Sequence, residues 1–224
     1  MVLVAAGQGT RIGGPPKQYR LLDGVPIVLR AVRQFASHPE VLQVALVLPP
    51  ADAARPPEFL AGLAGGSVTL VAGGDERTDS VAAGLAALDP ACAVVLVHDA
   101  ARPFVTREVI DAVAGHARRG DGAIAALPLT DTVKEAAQDD PTRIARTVPR
   151  ERLWRAQTPQ GFPRALLLEA HALARESGLR ATDDAMLVEA CGGTVRLVPD
   201  SAGNLKITTA DDLALAELLC RARP

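Results

Sequence analysis

Residues 3–24 read LVAAGQGTRIGGPPKQYRLLDG: an apolar run breaks into glycines, then Arg11 and Lys17 follow in a stretch with no apolar period. Glycine lets backbone N–H groups approach a ligand closely, and cations beside such a loop fit an anion, phosphate first. Lysine is itself informative here. Of the 24 Lys and Arg residues only Lys17, Lys134 and Lys206 are lysine, and each falls in or beside a loop-like motif. A compact ammonium can meet a single phosphate oxygen where the planar Arg fork cannot substitute for it. Gly7, Gly9 and Gly13 are spaced G-x-G-x-x-x-G, which misses the dinucleotide fingerprint, and the Gly-Lys-Ser/Thr of a P-loop is absent. The remaining readings are a phosphate loop of another kind, or a sharp turn that simply needs glycine.

Two further stretches carry polar residues to places where a ligand belongs. GGDERTDSV (73–81) follows an apolar run and opens a helix, so Gly73 and Gly74 permit close approach while Asp75, Arg77 and Ser80 face the loop or the first turn. A helix N-terminus with acids favouring its dipole explains the same residues without a ligand. VHDAARPF (97–104) closes the most apolar run of the chain with His98, Asp99 and Arg102. A buried strand rarely ends in His-Asp followed by Arg without a polar ligand or an internal ion pair, and we read a ligand; a core histidine bonded to backbone is the alternative for His98.

The elements that must position these residues alternate. Strand patterns cover 1–5, 41–50, 67–72, 93–99, 122–129 and 194–199, and helical patterns cover 26–38, 57–64, 77–88, 106–119, 163–177, 182–191 and 210–222, with Thr106 as an N-cap. Apolar strands joined by helical crossovers predict a mostly parallel sheet covered on both faces, with ligands beyond the C-terminal ends of its strands. The polar segment 130–152 breaks the rhythm: DTVKEA and RIARTV flank QDDPT and predict a protruding hairpin arm with too little apolar content to stand alone. Such an arm needs a partner surface, so a homodimer is expected. The remaining segments, LWRAQTPQGF (153–162) and NLKIT (204–208), return the chain to the body, and the whole reads as one domain over 1–224.

Composition narrows the function. With 48% apolar residues, 22% charged and a net charge of -2, the chain is an ordinary globule of 224 residues. Aromatics at 3% and a pI near 6.1 supply neither the stacking platform nor the basic stripe of a nucleic-acid binder. Cys92, Cys191 and Cys220 are odd in number and set among apolar residues, which predicts reduced core thiols and a cytoplasmic protein. The start MVLVAAGQG has no basic region and too short an apolar run for a signal peptide, and no stretch reaches the roughly 18 residues of a membrane span.

Taken in order, AAGQGTR, PKQY, GGDERTDSV, VHDAARP, DTVK, TVPRERLW, QTPQGF, TDDA and NLKIT resemble the 2-C-methyl-D-erythritol 4-phosphate cytidylyltransferases over essentially the whole chain. The resemblance implies a three-layer α/β, Rossmann-like nucleotidyltransferase fold and transfer of CMP from CTP to methylerythritol phosphate, with Mg²⁺ bound mainly through the CTP phosphates and no metal-ligating side chain assigned. It implies that Ala5, Ala6, Gly7, Gly9, Gly74, Asp75, Arg77 and Ser80 bind CTP, with Arg11 and Lys17 on the triphosphate. Asp99, Arg102, Thr132, Arg150 and Lys206 would meet the acceptor, Thr132 and Arg150 being lent by the partner's arm; Arg11, Lys17, Arg150 and Lys206 would be the catalytic cations. The family's usual Pro before Ala-Ala-Gly is Val4 here, from which a local backbone change without loss of chemistry is expected. A phosphate monoester is already an anionic nucleophile, so the reaction needs no Ser-His-Asp triad or general base, and none is visible. The alternatives are another acceptor such as ribitol 5-phosphate, a non-catalytic nucleotide-binding regulator and, least well matched, a dinucleotide-dependent oxidoreductase.

Overall fold

The computed structural model describes residues 1–7, 16–63 and 66–222. In chain order the strands are β1 (Val2–Val4), β2 (Leu21–Leu22), β3 (Val25–Pro26), β4 (Val44–Leu48), β5 (Val68–Ala72), β6 (Val94–Asp99), β7 (Gly122–Pro128), β8 (Val133–Ala136), β9 (Ile144–Val148), β10 (Trp154–Pro163) and β11 (Val195–Pro199). The helices are α1 (Ile27–Ala36), α2 (Pro50–Ala54), α3 (Glu58–Ala61), α4 (Arg77–Ala87), α5 (Arg107–Arg118), α6 (Arg164–Ser177), α7 (Asp184–Ala190) and α8 (Ala210–Ala222), with a 3-10 turn at Lys17–Tyr19. Seven strands form one sheet in the order β11-β7-β10-β6-β1-β4-β5. Every pairing in it is parallel except those of β10, which runs antiparallel between β6 and β7.

The alternation of the strands divides the core. Leu3, Leu46, Leu48 and Leu96 pack with Val28, Val32 and Phe35 of α1 and Ile110 and Val113 of α5 on one face. Val2, Val47, Val95, Val97 and Ile124 face the other way, onto Leu85 of α4, Leu167 of α6 and Leu187 of α7. A period of two on strands buried on both faces requires this arrangement, and truncating a fully buried residue such as Leu46 to Ala is expected to cost about 2–5 kcal/mol. A small third cluster, Leu22, Ile27, Phe104, Ile207 and Ala216, clamps α8 and the NLKIT segment onto the β2–β3 hairpin.

The fold corrects or extends the reading of the sequence in several details. The prolines at 49 and 50 end a strand, but Pro50 also starts α2, because a residue lacking an N–H is tolerated in a helix's first turn. NLKIT joins no sheet; Ile207 N–H donates to Ala101 O at 2.9 Å instead. The three cysteines are free but half-buried, not central to the core. The segment 130–152 does form a hairpin, β8–β9, which is a two-stranded sheet apart from the main one. Lys134 lies within that hairpin and its Nζ donates to Thr147 Oγ1 at 2.8 Å, so of the three lysines it is the one on a strand rather than in a loop. Thr106 occupies the N-cap position of α5, although its side chain makes no capping bond and meets the Glu108 side chain instead.

Candidate active site

The parallel strands β1, β5 and β6 end at one edge of the sheet, and the segments that follow them wall a cleft of about 210 Å³. Ala5, Ala6 and Gly7 continue β1, Gly74, Asp75, Arg77 and Ser80 follow β5, Asp99 ends β6, and Lys17 and Lys206 enter from the 3-10 turn and the NLKIT segment. Gln18 and Glu76, which the sequence did not single out, also line it. Arg11 and Gly9 lie outside the described residues.

Two glycines of the β5–α4 connection are dictated by packing. A Cβ on Gly73 would sit 2.6 Å from Ala6 Cβ and 2.8 Å from Ser80 Oγ, and one on Gly74 would sit 2.4 Å from Asp79 Cβ. The connection therefore lies directly against the residues after β1, which brings the two backbone walls of the cleft together. A Cβ on Gly7, by contrast, would meet nothing within 4 Å among the described residues. Ser80 is buried and its hydroxyl accepts from Gly74 N–H at 3.2 Å, fixing the loop. α4 starts with a capping box: the Glu76 side chain accepts from the Asp79 backbone and Asp79 Oδ2 accepts from Glu76 N–H at 3.2 Å. These acids cap the helix reciprocally, a sharper role than the favourable dipole expected from sequence. Val4 keeps regular parallel pairing with both Val47 and Asp99, so β1 runs undistorted up to the cleft.

Charge converges on Asp99. Lys206 Nζ lies 2.7 Å from its Oδ2, Arg77 Nε 3.8 Å from its Oδ1 and Arg102 Nε 3.9 Å from its Oδ2. Burial alone would raise the pKa of this carboxyl, but the Lys206 ammonium and the Arg77 guanidinium outweigh burial and bring it down to about 2. Asp99 is thus an ionised, acceptor-only group at neutral pH. On its far side Arg77 NH1 donates to Asp184 Oδ2 at 2.7 Å.

For His98 the structure decides between the two readings of VHDAARPF, in favour of the core histidine. It is fully buried with its ring against Phe35, centroids 4.9 Å apart, and burial pushes its pKa down to about 4. Asp99 N–H donates to Thr158 Oγ1 at 3.1 Å, that hydroxyl donates to His98 Nδ1 at 3.0 Å, and Nε2–H donates to the Arg102 carbonyl at 2.9 Å. The ring is a core histidine that braces the turn after β6, and of the pair only Asp99 lines the cleft.

Arg102, Thr132 and Arg150 do not line the cleft of their own chain. Arg102 is buried and donates to Asn204 O at 2.8 Å. Asn204, also buried, donates to Thr158 O at 2.8 Å and Asp200 Oδ2 at 2.6 Å, so this polar cluster holds the segment from which Lys206 projects. Thr132 and Arg150 are exposed at the base of the arm, Arg150 donating to the Thr130 carbonyl.

The comparisons with known proteins agree with this geometry. The profile of the family IspD, 2-C-methyl-D-erythritol 4-phosphate cytidylyltransferase, matches residues 1–222. The chain is 49% identical over 226 residues to the bifunctional enzyme IspD/IspF of Desulforudis audaxviator, covering all of this chain and 57% of that protein. It thus spans little more than half the length of the first relatives it matches. It is 40% identical over 223 residues to the 2-C-methyl-D-erythritol 4-phosphate cytidylyltransferase of Syntrophus aciditrophicus, covering 96% of this chain and 93% of that one. The crystal structure of the Thermus thermophilus protein of the same name superposes with a TM-score of 0.81 at 40% identity and 98% coverage of both chains. With a profile match across nearly every residue, and with the cleft at the edge of the sheet where such a fold binds ligands, this chain belongs to the 2-C-methyl-D-erythritol 4-phosphate cytidylyltransferase family.

Proposed function

We propose that this chain transfers the cytidylyl group of CTP to 2-C-methyl-D-erythritol 4-phosphate in isoprenoid precursor synthesis. The observation that carries the reading, beside the family, is the meeting of a backbone-walled pocket, two lysines and one ionised, half-buried carboxylate at the strand ends. The acceptor's phosphate oxygen attacks the α-phosphorus; a new P–O bond forms, and the α–β bridging oxygen leaves with pyrophosphate. Backbone groups around Ala5 and Gly74 read the cytosine edge, with Gly7, Asp75, Arg77 and Ser80 completing the nucleotide wall. Lys17 and Arg11 hold the triphosphate. Lys206 stands where the two phosphates must approach, and its ammonium offsets the charge that builds as they do. Asp99 accepts hydrogen bonds from the acceptor's hydroxyls.

Mg²⁺ fits this site as an ion carried by the nucleotide. The cleft carboxylate Asp99 is already paired with Lys206, and Mg²⁺ commonly binds through substrate phosphates with few protein ligands. When bound it neutralises triphosphate charge. Among the described residues the His/Asp/Glu group close enough to share an ion is His38, Glu40 and Asp111, away from the cleft, where the carboxylates already face Arg118 and Arg107.

A homodimer in which the arm completes the partner's site would explain why Thr132 and Arg150 stand clear of their own cleft and why Ile144 is 59% exposed on the hairpin. A reducing compartment such as the cytoplasm suits the three free thiols. The test is pyrophosphate release measured with each of the four nucleoside triphosphates against methylerythritol phosphate and ribitol 5-phosphate. Turnover confined to CTP with methylerythritol phosphate is expected, because a site built to hydrogen-bond one base edge rejects the other strongly. Equal turnover of CTP and UTP, or a preference for ribitol phosphate, would overturn the assignment, and no pyrophosphate with any pair would favour the regulator.

A further inference from the structure

The TDDA motif, residues 182–185, has no part in the reaction described so far, yet its second aspartate is among the most enclosed charges in the molecule. Asp184 is 0% exposed. Its Oδ2 accepts from Arg77 NH1 at 2.7 Å and its Oδ1 lies 3.2 Å from His171 Nε2. Its own N–H and that of Ala185 both donate to Gln160 Oε1, at 3.0 and 3.1 Å, while Gln160 Nε2 donates to Asp183 Oδ2 at 2.9 Å. Three separate elements, α6 with His171, β10 with Gln160 and the start of α7, thus hold one carboxylate in place.

We infer that Asp184 is a positioning residue that decides which carboxylate the Arg77 guanidinium serves, and so keeps Asp99 open to the acceptor polyol phosphate; this rests on the reading that Asp99 meets that acceptor. The asymmetry of two distances carries the argument. Arg77 hydrogen-bonds Asp184 at 2.7 Å, while its Nε stands 3.8 Å from Asp99, beyond hydrogen-bond reach. Among the described residues Asp99 therefore has one cation within hydrogen-bond reach, Lys206, and its side chain keeps 13% exposure. The guanidinium still has a buried Nη2 with no hydrogen-bond partner among the described residues.

Remove the Asp184 charge and a half-buried guanidinium loses its neutralising partner, a costly state that it can relieve by turning to the remaining carboxylate. A planar fork closing on Asp99 would occupy both oxygens, displace Lys206 and block the acceptor's hydroxyls. Asp184 then acts on the acceptor without touching it. His171 and Gln160 act one step further back, by keeping Asp184 from following Arg77.

Kinetics on the full chain test this, with CTP and methylerythritol phosphate varied separately. Asp184→Asn should raise the acceptor KM about ten- to a hundredfold, the loss expected of a hydrogen bond to a charged group. Asp184→Glu should recover part of it. The decisive variant is Asp184→Asn with Arg77→Met, because removing the guanidinium should free Asp99 again and lower the acceptor KM to that of Arg77→Met alone. A purely structural role for Asp184 would make the double variant no better than the single one, and that result overturns the inference, as does an unchanged acceptor KM in Asp184→Asn. If Asp184→Asn does not fold, His171→Gln replaces it and should give a smaller rise of the same kind, again suppressed by Arg77→Met; no rise or no suppression refutes it. Asp99→Asn separates the two layers. If it leaves the acceptor KM unchanged, the role proposed for Asp99 fails; if it raises that KM while Asp184→Asn does not, the positioning inference alone fails.

Discussion

The cleft and the arm are built from the same kinds of residue and treat them oppositely. In the cleft, Asp99, Arg77 and Asp184 form a chain of charges withdrawn from water, each placed by a different element. On the arm, Arg146 pairs with Glu135 across the two strands, Arg143 with Asp139 near the turn, and Lys134 with Thr147, all in exposed positions. Withdrawn charges must be matched partner by partner, so their geometry carries information about a ligand. Exposed pairs are weak and interchangeable, so their presence says only that the hairpin is solvated. An arm of that kind acquires a definite role when another surface covers it.

The sharpest way to break the contrast is at Lys206. Lys206→Ala should lower kcat about a hundred- to a thousandfold while CTP affinity changes far less, since its charge is needed as the phosphates react; Lys17→Ala should behave alike, and Arg should rescue either poorly. Near-normal turnover of Lys206→Ala in a steady-state assay would remove the cleft's claim to be the reaction centre.

The second largest effect concerns His98. Its folded pKa of about 4 lies below the ordinary histidine value of 6.5, so between those values the unfolded chain binds the extra proton and the folded one does not. Stability should therefore be intact above about pH 6.5 and fall progressively toward pH 4, by about 3 kcal/mol in all. Urea unfolding across that range should show the slope in the wild type and its loss in His98→Gln, beneath any common acid destabilisation.

Subunit mixing sharpens the arm's side of the comparison. Arg150→Ala and Lys17→Ala should each be nearly inactive alone. If arms cross between subunits, a mixed dimer holds one site with both lesions and one with neither, and random exchange should return roughly a quarter of wild-type activity. No recovery in a mixture shown to have exchanged would place Arg150 in the service of its own chain.

The smallest effect should come from the arm's own pairs. Arg146→Ala is expected to change unfolding free energy by less than about 1 kcal/mol, the usual worth of an exposed ion pair. A much larger loss in chemical denaturation would mean that the hairpin is covered in solution.

What can be read from the sequence follows the same division. Local signals find the strands of the main sheet other than β10, most helices, the hairpin arm, and the stretches that bring Asp99, Lys17 and Lys206 to the cleft, because period, glycine and an isolated lysine type are written within a few neighbouring residues. Asp184 is visible only as part of the TDDA motif, since its partners Arg77, His171 and Gln160 come from elsewhere in the chain and meet only through folding. His98 stays open between ligand and core in the sequence for a related reason: Thr158, 60 positions away, provides the hydroxyl that makes it a core residue. Strand β10 escapes a local reading because its polar middle, Gln157 to Gln160, does not read as a strand at all.

That polar middle comes from an irregularity in the ladder. Between Ala156 and Gln160 the strand advances four residues while its partner advances two, from Ala126 to Ile124. The surplus lets Thr158 reach His98, Gln157 reach Asn204 at 3.1 Å and Gln160 reach Asp183, before the strand resumes its pairing with β7 and begins its pairing with β6. Chain length is therefore a constraint in its own right within β10. Residues can be added or lost around the arm's turn at 138–142 with the rest of the molecule undisturbed, whereas shortening 156–160 by two would restore an unbroken ladder and erase the supports of the cleft at one stroke. Relatives should accordingly vary in length at the hairpin tip and keep a fixed count between Trp154 and Pro163.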